Sequence, residues 1–248
     1  MEEQKEKCEW FEEWFNTPFY HILYKNRNLD EAQLFVQNLV RYLQLAPSHH
    51  VLDLACGKGR HSIYLNQLGM RVTGADLSLN SIAEAKKFEN DRLDFLVHDM
   101  RFPIAERHFD VVVNLFTSFG YFDQQADNEQ VLKSIHQMLV PNGKLVIDFF
   151  NLHSVLKNMK AFEIKTIDGI EFNISKRFDG NHIYKQIDFV DAGKNYSFTE
   201  RVQGMDVDQF NHLLKQAGFE VQAVFGDFQL RPFDQEHSDR VILIAQKV

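Results

Sequence analysis

The residues with the most evident chemical use begin at Asp53. The run Asp53-Leu54-Ala55-Cys56-Gly57-Lys58-Gly59 follows an apolar stretch and precedes a helix-like one. Its two glycines let the backbone approach a ligand closely. Amides exposed at the start of a helix suit a nucleotide-like ligand. Asp53, inside the strand, could receive a cationic group directly or through water; the plainer reading is a capping acid with turn glycines. Asp76 follows Gly59 at close to the spacing of roughly 20 residues at which a carboxylate meets ribose hydroxyls. It could equally cap the helix beginning at Ser78, and the two roles are compatible. In His98-Asp99-Met100 the acid could accept from an adenine amino group while the thioether lies against the ring; a surface loop acid is the alternative.

A fourth candidate is Asn114-Leu115-Phe116, which continues into Thr117-Ser118-Phe119-Gly120-Tyr121-Phe122. An aromatic loop of this kind suits an acceptor site, since loops commonly carry function; loop packing is the alternative. His153 is the remaining candidate for proton transfer, and a plain loop histidine is the competing reading.

These residues need a scaffold, and the hydrophobic pattern supplies one. Apolar runs at 51–55, 71–75, 95–97, 110–115 and 144–149 read as strands. Amphipathic segments separate them, through Ile63 and Leu68, from Ser78 to Phe88, and through Val131 to Leu139. Strands alternating with helices imply a parallel sheet with right-handed crossovers. The pattern predicts a doubly wound α/β fold whose ligand site lies at the strand tips. The rhythm breaks after Asn151. Segments 171–176 and 182–187 alternate apolar with polar around Asp179-Gly180-Asn181, predicting an antiparallel insertion. A helix from Asp206 and two strands, 219–225 and 240–246, close the chain. Upstream, Trp10 and Trp14, like Phe11 and Phe15, have helical i,i+4 spacing. Thr17-Pro18 and Asn28-Leu29-Asp30-Glu31 read as helix starts.

Composition narrows the classes. With 44% hydrophobic and 25% charged residues, the 248-residue chain is ordinary globular protein. No apolar run approaches the roughly 20 residues of a membrane span, and the first residues lack a signal-peptide core. Two cysteines preclude a disulfide framework and point to the cytoplasm. The net charge of −8, without a dense basic cluster, argues against a nucleic-acid partner.

Taken in order, the Asp53–Gly59 run, Asp76, Asp99-Met100 and Asn114-Leu115-Phe116 resemble the motifs of class I S-adenosylmethionine (SAM) dependent methyltransferases. The likeness runs from about 51 to 150 and resumes in the last three elements. It implies a Rossmann-like, mostly parallel seven-stranded sheet with one antiparallel strand, and SAM as cofactor, with S-adenosylhomocysteine (SAH) as product and no metal. The implied cofactor-binding set is Asp53, Ala55, Gly57, Gly59, Asp76, Leu77, Asp99, Met100, Asn114 and Leu115. Gly57 and Gly59 would pass under the methionine part, Asp76 bind ribose and Asp99 bind adenine. Tyr20-His21-Ile22-Leu23-Tyr24 resembles the tyrosine-bearing lid helix of small-molecule N-methyltransferases, with Tyr20 as the matching tyrosine. The resemblance divides a single domain into a helical lid (1–46), a SAM-binding core (47–150 and 204–248) and an inserted β cap over the acceptor (151–203).

The acceptor implied is a small-molecule amine or hydroxyl, held by Phe116, Phe119, Tyr121 and the insertion. Positioning is the main catalytic device for such transfer, since orientation is worth roughly 7–11 kcal/mol at best. A hydroxyl would want a base, for which Tyr20 or His153 is available. Asn114-Leu115-Phe116-Thr117 departs from the Asn/Asp-Pro-Pro-Tyr/Phe motif, which counts against methylation of planar amides and exocyclic amines. Alternatives are a SAM-binding regulator, a macromolecular methyltransferase and, remotely, a nicotinamide-dependent oxidoreductase, whose third glycine is missing at Ser62. Oligomeric state is not encoded legibly.

Overall fold

The computed structural model describes residues 9–25 and 29–248. Asn28, expected to help start a helix, lies outside the described residues. The chain opens with helices α1 (Trp10–Phe15), α2 (Pro18–Leu23) and α3 (Leu29–Tyr42). The Thr17 hydroxyl accepts from the Tyr20 amide at 3.2 Å, capping α2 ahead of its first-turn proline.

Alternation then follows as expected: β1 (His50–Leu54), α4 (Arg60–Gln67), β2 (Arg71–Asp76), α5 (Leu79–Ala85), β3 (Leu93–Val97), β4 (Phe109–Asn114), α6 (Gln125–Met138) and β5 (Leu139–Phe150). After the insertion come α8 (Val207–Gln216), β10 (Phe219–Phe225) and β11 (Arg240–Lys247). The sheet order is β10-β11-β5-β4-β1-β2-β3. Strands β1 to β5 pair in parallel, while β11 runs antiparallel to both β5 and β10. The doubly wound seven-stranded sheet with one reversed strand is therefore present. Its central strands read as apolar runs because both faces are covered. One apolar layer gathers Leu132, Ile135, Phe210 and Leu214 beneath α6 and α8. The other gathers Phe35, Leu39, Leu65 and Ile82 beneath α3, α4 and α5.

One boundary differs from expectation. Leu139 belongs to β5, and Pro141-Asn142-Gly143 is a bulge inside that strand. Phe109 faces Leu139 and Val111 faces Lys144, so several residues of β5 loop out between two pairs. Asn142 takes φ 61° at the bend. Side chains that continue a helical pattern can also serve a strand, and here the β4 ladder captures Leu139.

The insertion comprises α7 (Leu152–Asn158) and a four-stranded antiparallel meander, β6 (Phe162–Ile167), β7 (Ile170–Phe178), β8 (His182–Asp191) and β9 (Lys194–Gln203). Phe172, Ile174, Ile187 and Phe189 form its buried face, packed on Trp14 and Leu23 of α1 and α2. The N-terminal segment thus divides. Helices α1 and α2 sit between the insertion and the strand tips, whereas α3 belongs to the core layer. Among the described residues no helix is long and apolar enough to cross a membrane.

Candidate active site

A cavity of about 460 Å³ opens at the carboxyl ends of β1, β2, β3 and β4, beneath α1 and α2. That volume falls within the range of small-ligand sites. Ala55, Gly57, Asp76, Leu77, Asp99, Met100 and Leu115 form its sheet-side wall, and Phe116 and Tyr121 extend it past β4. Phe11, Phe15, Tyr20, His21 and Tyr24 close it from the helical side.

The β1–α4 turn explains its two glycines separately. Gly59 caps α4 in the left-handed region at φ 78°, and a Cβ there would stand 2.6 Å from the Phe95 ring. Gly57, at φ 56°, has nothing within 4 Å of an added Cβ. Gly59 is demanded by packing. Gly57 keeps a backbone surface bare toward the cavity, as a close-lying ligand requires.

Two carboxylates, Asp53 inside β1 and Asp76 at the end of β2, flank this turn under different constraints. Asp76 accepts from the Gly57 amide and the Ser78 amide, each at 2.8 Å, so one acid pins the glycine loop and the start of α5. Burial raises its pKa, partly offset by those two bonds. Asp53 is 1% exposed and does not line the cavity; it accepts from the Ser62 hydroxyl at 2.6 Å beneath the loop. Burial pushes its pKa up to about 6 against the partial relief given by Ser62, and the nearby Asp76 carboxylate adds to the rise. Burial also raises the Cys56 thiol, which keeps it protonated and unreactive.

Asp99 and Met100 line the cavity, but the Asp99 carboxylate is largely committed to Arg101. The Arg101 guanidinium donates to it at 2.6, 2.9 and 3.1 Å, and Arg101 reaches Glu9 as well. Asn114 is fully buried and does not line the cavity; its amide donates to the Leu54 carbonyl at 3.0 Å, joining β4 to β1.

Past β4 the backbone is strained. Phe116 and Thr117 have φ 58° and 60°, a conformation unusual for non-glycine residues that persists only where surroundings enforce it. Asp148 of β5 does so: its carboxylate accepts from the Phe116 amide at 2.8 Å, and its carbonyl from the Thr117 amide at 2.9 Å. Arg240 of β11 donates to the same carboxylate at 2.8 Å and to the Thr117 hydroxyl at 3.1 Å. The Phe116 ring is thereby presented to the cavity, with the Arg60 guanidinium 3.9 Å over its face and His61 and Phe228 stacked at 5.1 and 5.3 Å.

The remaining expected residues separate. Tyr20 lines the cavity against Phe15, at 4.7 Å between ring centroids, and Tyr121 packs on Trp10 at 5.4 Å. Phe119 is instead a core residue, fully buried against Phe210. His153 lies at the start of α7, outside the cavity lining, with its ring nitrogen 2.9 Å from Glu236 and its side chain 39% exposed. It is therefore not placed to take a proton from a ligand in the cavity. No residue of the insertion lines the cavity either. The insertion reaches the site through α1 and α2, because its apolar face is used up on Trp14 and Leu23. Sequence reasoning missed Phe11, Phe15, Arg60 and His61 as wall residues. The i,i+4 aromatic spacing of α1 was a legible signal, but its destination was not.

Comparison with known proteins agrees with this geometry. Residues 51–143 match the family described as a methyltransferase domain. A putative methyltransferase of Bacillus subtilis is 33% identical over 211 residues, covering 79% of this chain and 83% of the relative. A glycine/sarcosine N-methyltransferase of Aphanothece halophytica is 27% identical over 262 residues, covering 98% of this chain and 91% of the relative. Among solved structures, a SAM-dependent methyltransferase from Clostridium acetobutylicum superposes with a TM-score of 0.78 at 16% identity, covering 92% and 96% of the two chains. The strand order, the Gly57–Asp76 loop and these relatives agree, and the chain belongs to the class I SAM-dependent methyltransferases.

Proposed function

We propose that the protein methylates a small-molecule amine or hydroxyl, with the adenosyl end of SAM at the tips of β1, β2 and β3 and the acceptor against Phe116 and Tyr121. The observation that supports this most is a single cavity, roofed by α1 and α2, that joins the Gly57–Asp76 loop to an aromatic wall beyond β4. The bare backbone at Gly57 fits a methionine tail, and Asp76 retains lone pairs for ribose hydroxyls after its two amide bonds. Asp53 supplies buried negative potential beneath the loop, suited to a cationic ligand.

Bound there, SAM supplies an electrophilic methyl on sulfur. The protein's own part is to orient a nucleophile in line and to exclude water, and the aromatic rings of α1, α2 and the β4 loop serve both ends. An amine acceptor needs only to arrive neutral. For a hydroxyl, Tyr20 is the cavity-lining candidate to hold its proton. The glycine/sarcosine N-methyltransferase relative favours nitrogen.

Calorimetry with SAM and SAH tests the cofactor half. Asp76→Ala removes two ribose contacts of charge-assisted kind and should weaken SAH by about 100-fold. Turnover to SAH is then followed with glycine, sarcosine, amino sugars and phenols as acceptors. Binding of NADH with indifference to SAM and SAH, or methylation of purified RNA but of no metabolite, would overturn the proposal.

A further inference from the structure

A cluster of half-buried charged and polar groups lies where the insertion meets the lid. Glu200 of β9 and Lys185 of β8 face each other at 3.4 Å, with side chains only 14% and 16% exposed. The two lid helices are tied to this one carboxylate. Trp14 of α1 donates its indole N–H to Glu200 at 2.8 Å. The Tyr24 hydroxyl, just past α2, donates to both carboxylate oxygens at 2.7 Å and accepts in turn from Lys185. Lys185 also lies 4.5 Å over the Tyr24 ring.

Tyr24 is a cavity wall residue, and α1 contributes Phe11 and Phe15 to the same wall. Neither lid helix is long enough to be stable alone, since isolated helices below about 12 residues are marginal. Their placement must therefore come from tertiary contacts. Apolar packing on the meander is non-directional. The carboxylate adds two directional, charge-assisted bonds, one to each helix.

We propose that Glu200, countercharged by Lys185, is the positioning residue that latches α1 and α2 over the cavity and sets how long a ligand stays beneath them. It touches no ligand itself; it acts through Trp14 and Tyr24. The inference rests on the reading that SAM and SAH occupy this cavity, and the two can fail separately.

The test follows SAH release by stopped flow. Intrinsic fluorescence reports it, because the chain's two tryptophans, Trp10 and Trp14, both lie in α1. Wild-type protein that binds no SAH would defeat the functional reading. Given binding, Glu200→Gln should release SAH about tenfold faster or more, the equivalent of losing one charge-assisted bond. That variant also strands Lys185, so lost stability could mimic the effect. The pair Glu200→Leu with Lys185→Met removes both charges; exchanging a buried ion pair for apolar residues is often neutral for stability. It should regain the wild-type melting temperature and still release SAH fast. Tyr24→Phe, which leaves the ion pair intact and frees only α2, should give an intermediate rate. Release within about twofold of wild type in Tyr24→Phe and in whichever Glu200 variants fold would overturn the latch.

Discussion

Replacing Asp53 by asparagine should change how the protein's stability depends on pH. Asp53 is 1% exposed, and its pKa rises from the ordinary 3.8 to about 6, chiefly through burial. A raised folded-state value means that the native protein holds this proton more tightly than the unfolded chain does. The resulting destabilisation is absent below 3.8, grows as pH rises and levels off above about 6. From these two values the native state loses ~1 kcal/mol at about pH 4.5 and ~3 kcal/mol at about pH 7.5. Asparagine cannot ionise, and its carbonyl still accepts from Ser62. Any fixed difference between the amide and a protonated carboxyl is the same at every pH. The stability of Asp53→Asn relative to wild type should therefore climb by ~2 kcal/mol between those two conditions. Urea unfolding of both proteins across that range, followed by tryptophan fluorescence, measures the difference directly. A flat difference, changing by under about 0.5 kcal/mol, would mean that Asp53 is solvated or firmly ion-paired, and the electrostatic account of the loop would fall.

Two further perturbations address the backbone around the cavity. Gly57→Ala and Gly59→Ala both place Cβ on a left-handed residue, at a cost of about 1–2 kcal/mol. Only Gly59 adds a clash with Phe95, so urea unfolding should show its variant less stable by a further ~1–3 kcal/mol. Gly57→Ala, whose Cβ projects into open space, should be the one that weakens SAH disproportionately to its stability in calorimetry. Asp148→Asn leaves Arg240 short of its countercharge under a strained loop and should cost about 3–5 kcal/mol by urea unfolding. It should also raise amide hydrogen exchange at Phe116 and Thr117; unchanged protection there would show that the loop conformation is held by something else.

What the sequence disclosed, and what it hid, follows from the range of the interactions. The β1 tip was legible because a strand, a left-handed turn and a helix start are encoded within seven residues, and Asp76 because it stands at the tip of the neighbouring strand. Phe116 was legible as an aromatic in a loop, but its strained backbone was not. The groups enforcing it, Asp148 and Arg240, come from β5 and β11, with separations of 32 and 92 residues in the bonds concerned. Phe119 was misassigned because an aromatic loop residue looks the same whether it faces a ligand or, as here, Phe210. His153 was proposed from its place after β5, yet α7 turns it toward Glu236. The insertion was recognised as antiparallel from alternation alone, and alternation says which face is apolar without saying what that face covers.

That last ambiguity bears on how specificity is built. A sheet that lined the acceptor chamber would expose side chains to the ligand, and changes in it would alter selectivity contact by contact. Here the buried face of the meander is filled by Trp14 and Leu23, and its Lys185–Glu200 pair is joined to Trp14 and Tyr24. Changes in the insertion would then move α1 and α2 as units, altering the shape of the roof and the residence of whatever lies beneath it. The chemistry of the wall would remain with Phe116, Tyr121 and the lid aromatics. If the acceptor lies against Phe116 and Tyr121 as proposed, acceptor choice would belong to the short helices and the β4 loop, and the insertion would act on it only through α1 and α2.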